Sequence, residues 1–477
     1  MKICLLTEGS YPYVVGGVSS WCHMLMEGLP EYEFSVCSIG AEIKDRGNYK
    51  YKLPQNLTRI QEEFLDSMLS QKSSGMYENI LSPDERNALY ELVTGDKPID
   101  ITQLVNIFHQ RGRFASAFDI FMSSDFFDII EQVYRERYSY LPFTDFFWTM
   151  RSMLLPLFYL LQQRLPEADV YHSVATGYCG VIGAMAATVY GKPFMITEHG
   201  IYSREREVEI IKSDWAKGDF KSIWIQYFYN LAGLSYASAD HVYTLFEHNA
   251  AIERDLGCDP EKIGIIPNGI HMERFADIGE LTPHEGPLTI GAVVRVVPIK
   301  DIVTMLRAFF LVKQELPEAR LIIMGGYEED PEYYALCRRT VDMLRLDDVV
   351  FTGTVNVHDY IPQLDIMLLS SISEGQPLAV LEGQAAHRPF ITTDVGCCRE
   401  LIYGGTGDDL GPAGAVVAPM DFEAMAAEIL RLGRDFEMRR HMGNVGYERT
   451  KRYYRFEQFI AAYRDIYALE AGQTGKG

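Results

Sequence analysis

Apolar runs of strand length alternate with helical patterns along most of the chain, and this alternation narrows what its 477 residues can fold into more than any other feature. It is the mark of parallel sheets built from right-handed crossovers, with each strand buried on both faces. The first set opens with a strand at residues 2–6. Val18, Trp21, Cys22, Leu25 and Leu29 follow at helical spacing as far as Pro30, and a strand spans residues 32–38. Strands resume at 169–172, 193–197, 241–244 and 263–266. Between about 60 and 165 the pattern turns to polar and aromatic helical segments such as SDFFDIIEQVYRERY, which reads as a helical insertion. A linker is expected in the loop 275–287, where GELTPHEGP lacks periodicity. A second set then places strands in LTIGAVVRV, ARLIIMGG, DVVFTG, DIMLLS and PFITTD. The expected fold is α/β, with two Rossmann-like doubly wound domains at 1–280 and 285–452. A last helix, 453–477, carries Phe456, Phe459, Ile460, Tyr463, Ile466 and Tyr467 on one stripe, which needs a partner surface and is expected to find it on the N-terminal domain.

A chain of this length exceeds what one core organises, so two domains of roughly 200 to 250 residues are expected. The 47% hydrophobic and 23% charged content is that of a globular protein. The net charge of −22 repels nucleic acid and anionic lipid at long range, so a phosphate ligand needs a local cationic site. MKICLLTEG carries too short an apolar run for a signal peptide and reads as a buried strand. The apolar stretch 146–161 is interrupted by Arg151 and Pro156 and falls short of a membrane span, so it is expected to be a core or partner-facing helix. Eight cysteines without a Cys-x-x-Cys spacing fit reduced thiols in a cytoplasmic protein.

In doubly wound sheets the ligand lies beyond the carboxyl ends of the strands, so the residues just after strands are the ones to read for chemistry. After the first strand, Gly16 and Gly17 at the mouth of a helix form either an anion site or a plain turn. Arg295 and Lys300 follow the first strand of the second domain and suit a pyrophosphate, the Arg as a fork and the Lys as a point charge; solvated surface charge is the alternative. In SEGQPLAVLEGQA, Pro377 is placed as a first-turn helix residue. The free N–H groups of Gly375, Gln376 and Leu378 then face a phosphate, with Glu374 in the preceding loop and Glu382 about 7 Å along the axis.

Glu374-x7-Glu382, with Arg295, Lys300, GGV at 16–18, ITEHG at 196–200 and IIPNGI at 265–270, resembles the retaining GT4 glycosyltransferases of the GT-B fold, in family order over nearly the whole chain. The N-terminal half, with LLTEGSYPYVVGGVSSW and TEHGIYSRERE, further resembles the PelF-type enzymes of Pel exopolysaccharide biosynthesis. The resemblance implies two domains facing across a cleft and a UDP-sugar as donor substrate, with no other cofactor. It assigns Arg295 and Lys300 to the donor diphosphate and Glu382 to the ribose. Glu374 with the backbone of Gly375, Gln376 and Leu378 would take the transferred sugar and β-phosphate, and His199 would face the sugar from the N-terminal side. His172 stands open between a site role and a structural one. Asn268 and Gly269 fit a hinge-side loop, Gly325 and Gly326 would allow close ligand approach, and Thr354, Val355 and Asn356 lie where the family reads the base. Arg204 and Arg206 either face the acceptor or pair with Glu205, Glu207 and Glu209 on a solvated helix face, the pairing being the expectation.

The implied activity is transfer of a hexose or N-acetylhexosamine to a growing glycan acceptor. It proceeds by front-face displacement with retention and without a metal, since the chain holds no Asp-x-Asp. The rival readings are a nucleotide-sugar epimerase on the same fold and a scaffold subunit of a polysaccharide-export complex with a vestigial site. The implied partners are membrane-bound polysaccharide synthase and export proteins, holding the chain at the inner face of the membrane; nucleic acid is excluded. Phe126, Phe127, Tyr134, Phe146 and Trp148 of the insertion are the candidate partner surface, with core packing as the alternative.

Overall fold

The computed structural model describes residues 1–71, 75, 80–109 and 113–473. The chain divides into two units. One comprises 1–244, 249–265 and 462–477, the other 245–248 and 266–461. The first boundary thus falls at 265, short of the 280 read from the linker, because Ile270, Phe275 and Ile278 pack into the second unit's core.

The first unit is built on a seven-stranded, all-parallel sheet. In chain order its strands are β1 (Lys2–Glu8), β2 (Glu33–Gly40), β3 (Leu57–Phe64), β4 (Val170–Ser173), β5 (Phe194–Glu198), β6 (His241–Thr244) and β7 (Ile263–Ile265), arranged 3-2-1-4-5-6-7. Strand β1 pairs β2 from Lys2 opposite Glu33 to Glu8 opposite Ile39, and β4 from Ile3 opposite Val170. The order reverses between β1 and β4, which opens a crevice at their carboxyl ends. Strand β3 is an edge strand absent from the sequence reading. Its LTRIQEEF is mostly polar because only one flank is covered, so it lacks the apolar run that marks the central strands.

The helical insertion therefore begins after Phe64 and runs to Leu161. Helix Pro83–Thr94 opens on a capping box in which Ser82 N donates to Glu85 Oε2 at 2.8 Å and Glu85 N to Ser82 Oγ at 3.3 Å. Helix Phe143–Leu161 continues through Pro156 and buries its last nine residues. No helix among the described residues is long and apolar enough to cross a membrane. Phe126 and Phe146 are fully buried in the first core, whereas Phe127, Tyr140 and Trp148 are exposed. The core alternative thus holds for Phe126 and Phe146, and half-buried Tyr134 packs against the same core, which leaves Phe127 and Trp148 of the five aromatics named above exposed. All eight cysteines are free and buried.

The second unit carries a six-stranded parallel sheet. Strands β8 (Thr289–Val293), β9 (Arg320–Met324), β10 (Val349–Gly353), β11 (Ile366–Leu369), β12 (Phe390–Thr393) and β13 (Gly414–Val417) lie in the order 10-9-8-11-12-13. Its reversal falls between β8 and β11. Strand β13, GAVV, escaped the sequence reading because it lies in GPAGAVVAP, whose Gly and Pro residues read as loop; at Gly414 a Cβ would stand 1.8 Å from Phe390 O, so the close approach of β12 requires glycine there.

The carboxyl end of β5 holds a buried acid pair. Glu198 accepts from Tyr236 OH at 2.5 Å, Thr176 Oγ1 at 3.0 Å and Tyr202 N at 2.9 Å. Burial nonetheless raises its carboxyl to about 7. Burial, then the Glu198 charge, raises fully buried Glu253 to about 8. The folded chain thus retains protons that the unfolded chain releases near 4.5, and stability falls as pH rises from there to about 8. Glu253→Gln is expected to stabilise the chain at pH 8 by about 1–3 kcal/mol and to flatten the pH dependence of the melting midpoint. Equal pH slopes for variant and parent in thermal scans would refute this.

Candidate functional site

In the second unit the site is assembled at the β8/β11 reversal. After β11 the chain runs through Ser370 and Ser371 into a loop tied to the one that follows β8. Ser370 Oγ donates to Lys300 O at 2.8 Å and Ile372 N to Ile299 O at 2.8 Å. From the β12 side, Thr393 Oγ1 donates to Ser371 O at 2.6 Å. These ties bring Lys300 and Glu374 together: Lys300 Nζ lies 2.5 Å from Glu374 Oε1, with the two side chains 17% and 10% exposed. Ser371 Oγ donates to the same carboxylate oxygen at 2.5 Å. Lys300 ends a short 3-10 turn, Pro298–Lys300, and precedes helix Ile302–Glu315, which is capped by Asp301 through Thr304 N.

The helix after Glu374 spans Leu378–Ala385, so Pro377 is the residue before it and not its first-turn member. Its N-terminus has no side-chain cap and no acidic residue in the first turn. The backbone N–H groups of Gly375, Gln376 and Leu378 donate to no acceptor among the described residues. Three preorganised donors with the positive end of a helix dipole behind them make an anion site. Two contacts missed at the sequence level hold this loop. Gln376 Oε1 accepts from Asn268 N at 2.7 Å, and the loop packs on Gly396, where a Cβ would meet Gly375 O at 2.2 Å and Glu374 O at 2.4 Å. Gly396 follows β12 in DVGCC, and a glycine just past a strand is the signal that could have found it. Glu382 lies one turn into the helix; burial raises its carboxyl, an effect the Arg274 charge opposes.

Arg295 is exposed and grips Glu329 through one guanidinium nitrogen, at 2.7 and 2.5 Å from its two oxygens, so the structure does not bring it to Lys300. Gly325 adopts φ +151, where a Cβ would lie 2.0 Å from Val294 O, and Val296 N donates to Gly326 O at 2.9 Å. Thr354 stands beside Gly326, its Oγ1 3.2 Å from where a Cβ there would sit. It is exposed, as is Asn356, while Val355 is half-buried. The turns after β8, β9 and β10 thus form one backbone-lined ledge.

In the first unit, helix Gly17–Gly28 follows β1. Neither Gly16 nor Gly17 has a neighbour within 4 Å of a would-be Cβ, and the helix start has no side-chain cap. One turn on, Trp21 meets His199, which follows β5, at a centroid distance of 4.7 Å and edge to face. Burial lowers the His199 pKa to about 3, so the imidazole is neutral, and its Nε2 lacks a hydrogen-bond partner among the described residues. His172 is fully buried with both ring nitrogens engaged, by Tyr467 OH at 2.6 Å and Thr197 Oγ1 at 2.8 Å, a structural placement. Arg206 pairs with Glu209 at 2.9 Å, as expected, whereas Arg204 makes no ion pair among the described residues.

Residues 1–261 match the family described as a domain of unknown function (DUF3492), and residues 287–435 match the glycosyl transferases group 1. The chain is 29% identical over 181 residues to the N-acetyl-alpha-D-glucosaminyl L-malate synthase of Bacillus anthracis, which covers 37% of this chain and 45% of that protein. It is 26% identical over 259 residues to the UDP-Gal:alpha-D-GlcNAc-diphosphoundecaprenol alpha-1,3-galactosyltransferase of Escherichia coli, covering 51% of this chain and 61% of the relative. The chain therefore spans about half the length of these two relatives. Among solved structures, Anabaena Alr3699/HepE in complex with UDP superposes with a TM-score of 0.61 at 12% identity, over 98% of this chain and 100% of that one, which shows the GT-B fold.

Gly325→Ala is expected to lower stability by about 2–4 kcal/mol, since its φ and the Val294 carbonyl both exclude a Cβ. Urea unfolding followed by far-UV circular dichroism would measure this; a loss below about 0.5 kcal/mol would contradict the packing described.

Proposed function

The chain belongs to the DUF3492 family over its first 261 residues and to the glycosyl transferases group 1 over 287–435, and from this membership we propose that it transfers a hexose or N-acetylhexosamine from a UDP-sugar to a growing exopolysaccharide, with retention at the anomeric carbon. The observation that carries the reading is the Lys300–Glu374 pair beside the uncapped N-terminus of helix Leu378–Ala385, at the reversal of a doubly wound sheet. A desolvated ammonium and free backbone donors match the charge that grows on a departing nucleoside diphosphate.

In the proposed reaction the bond between the anomeric carbon and the β-phosphate oxygen breaks while the acceptor hydroxyl oxygen bonds to the same carbon from the leaving-group side. The acceptor proton passes to a phosphate oxygen, so UDP leaves with the electron pair and the proton, and no protein nucleophile is needed. Lys300, Arg295 and the N–H groups of Gly375, Gln376 and Leu378 neutralise the diphosphate. For this, Arg295 exchanges its solvent-exposed contact with Glu329 for phosphate, an inexpensive swap for a surface pair. Glu374, released by Lys300 as the phosphate arrives, supports the positive charge that develops on the sugar and orients its hydroxyls. Glu382 takes the ribose diol, and Gly325, Gly326, Thr354 and Val355 line the base and ribose.

On the first unit, the resemblance of their motifs assigns Gly16 and Gly17 to the phosphates and neutral His199 to a hydrogen bond with the sugar. With two cations and a helix N-terminus supplying the charge, the mechanism calls on no divalent metal. The Pel-type motifs of the N-terminal half support a Pel-like acceptor chain. Exposed Phe127, Tyr140 and Trp148 support docking to membrane-bound partners.

Calorimetric titration of the full chain with UDP, ADP and GDP in EDTA tests the donor site. Selective UDP binding is expected, weakened more than about tenfold by Arg295→Ala and by Glu382→Ala. A folded chain that binds none of the three would overturn the reading.

A further inference from the structure

Near His199 the first unit contains a buried polar chain that the reaction does not use. Tyr467 OH shares a hydrogen bond with His172 Nδ1 at 2.6 Å. His172 Nε2 shares one with Thr197 Oγ1 at 2.8 Å, and Thr197 Oγ1 shares one with Tyr463 OH at 3.0 Å. Tyr463, Tyr467, His172 and Thr197 are all fully buried. The two tyrosines belong to the last helix, Phe456–Gln473, and come from the far end of the sequence, 266 and 295 residues from their partners.

The chain ends on the site by two routes. Thr197 stands two residues before His199 at the end of β5. Trp21 receives rings edge to face from His172 at 5.7 Å, Tyr463 at 5.4 Å and His199 at 4.7 Å. The ring against which His199 leans is thus itself wedged by two members of the polar chain, His172 and Tyr463. Burial holds His172 neutral, with a pKa of about 3, so it passes no charge to the site and can act only through geometry. A core that needed only burial here could place Phe and Val at these positions without leaving polar atoms to satisfy.

We propose that Tyr463 and Tyr467 of the last helix are positioning residues for sugar transfer, setting the orientation of His199 through Thr197, His172 and Trp21. This rests on the reading of His199 as the group that faces the transferred sugar.

The test compares Tyr463→Phe, Tyr467→Phe, Thr197→Val and Thr197→Ser in the full chain. Four quantities are measured: UDP release from UDP-glucose and UDP-N-acetylglucosamine, UDP affinity by calorimetry, the melting midpoint, and the His199 ¹³Cε1–¹H resonance, assigned by its loss in His199→Ala. Tyr463→Phe keeps the ring on Trp21 and removes only the hydroxyl. It is expected to lower kcat about tenfold, with UDP affinity unchanged within twofold and the His199 resonance displaced. Tyr467→Phe is expected to act in the same direction. Thr197→Val, isosteric but without the hydroxyl, should follow Tyr463→Phe, whereas Thr197→Ser should retain activity and the parent resonance. An unchanged kcat and resonance in Tyr463→Phe and Thr197→Val, or equal loss in Thr197→Val and Thr197→Ser, would overturn the proposal. If the parent chain releases UDP from neither donor, the proposed function fails on its own terms. The His199 resonance then decides the positioning role alone, its displacement by Tyr463→Phe supporting the proposal and its constancy overturning it.

Discussion

A parallel strand covered on both faces has no solvated side on which to carry polar side chains, so its polar chemistry is pushed to its ends. Both sheets of this chain obey that constraint. Strands β4, β5, β11 and β12 are buried at every position; Ser370, Ser371 and Glu374 come after β11, and His199 comes after β5. Because strand order reverses at β1/β4 and β8/β11, the connecting helices leave in opposite directions, and the loops after those strands are left facing open space. The placement of the candidate site is a consequence of this burial.

Within the second unit, the Lys300–Glu374 pair shows what such a loop can hold. Two charges with most of their surface removed from water cost more in desolvation than their attraction returns unless further hydrogen bonds complete them. Here the Ser371 hydroxyl joins the carboxylate, and the loop backbone is fastened by Ser370, Ile372, Thr393 and Gln376. That investment makes little sense as a means to stability, since an apolar pair would serve as well. It makes sense for a cation that must stay dehydrated and in place until an anion arrives. The pair at Arg295–Glu329 is the opposite case, half-exposed on both sides and free to rearrange.

Much of this was legible before any coordinates. The central strands announced themselves by apolar runs, and Arg295, Lys300, Glu374, Gln376 and Glu382 stood where strands end. What escaped had weak local signals. Strand β3 is an edge, so LTRIQEEF carries polar residues; β13 sits between the Gly and Pro residues of GPAGAVVAP. Pro377 read as a helix opener, yet its ψ of 107 keeps it outside the helix, one residue from where it was placed. Gly396 and Ser371 looked ordinary because their roles depend on the loops that fold against them.

The sequence by itself determined the two doubly wound sheets, the linear order of the site motifs and the set of residue types that suit a nucleoside diphosphate, because these follow from period, burial and short-range spacing. Only the tertiary structure decided that Lys300 faces Glu374 while Arg295 faces Glu329, that His172 is sealed while His199 keeps a nitrogen unpaired, and that Tyr463 and Tyr467 close over the end of β5. Each of those outcomes joins groups tens to hundreds of residues apart, and no local pattern encodes which of two nearby carboxylates or histidines a folded chain will bring within 3 Å of a partner.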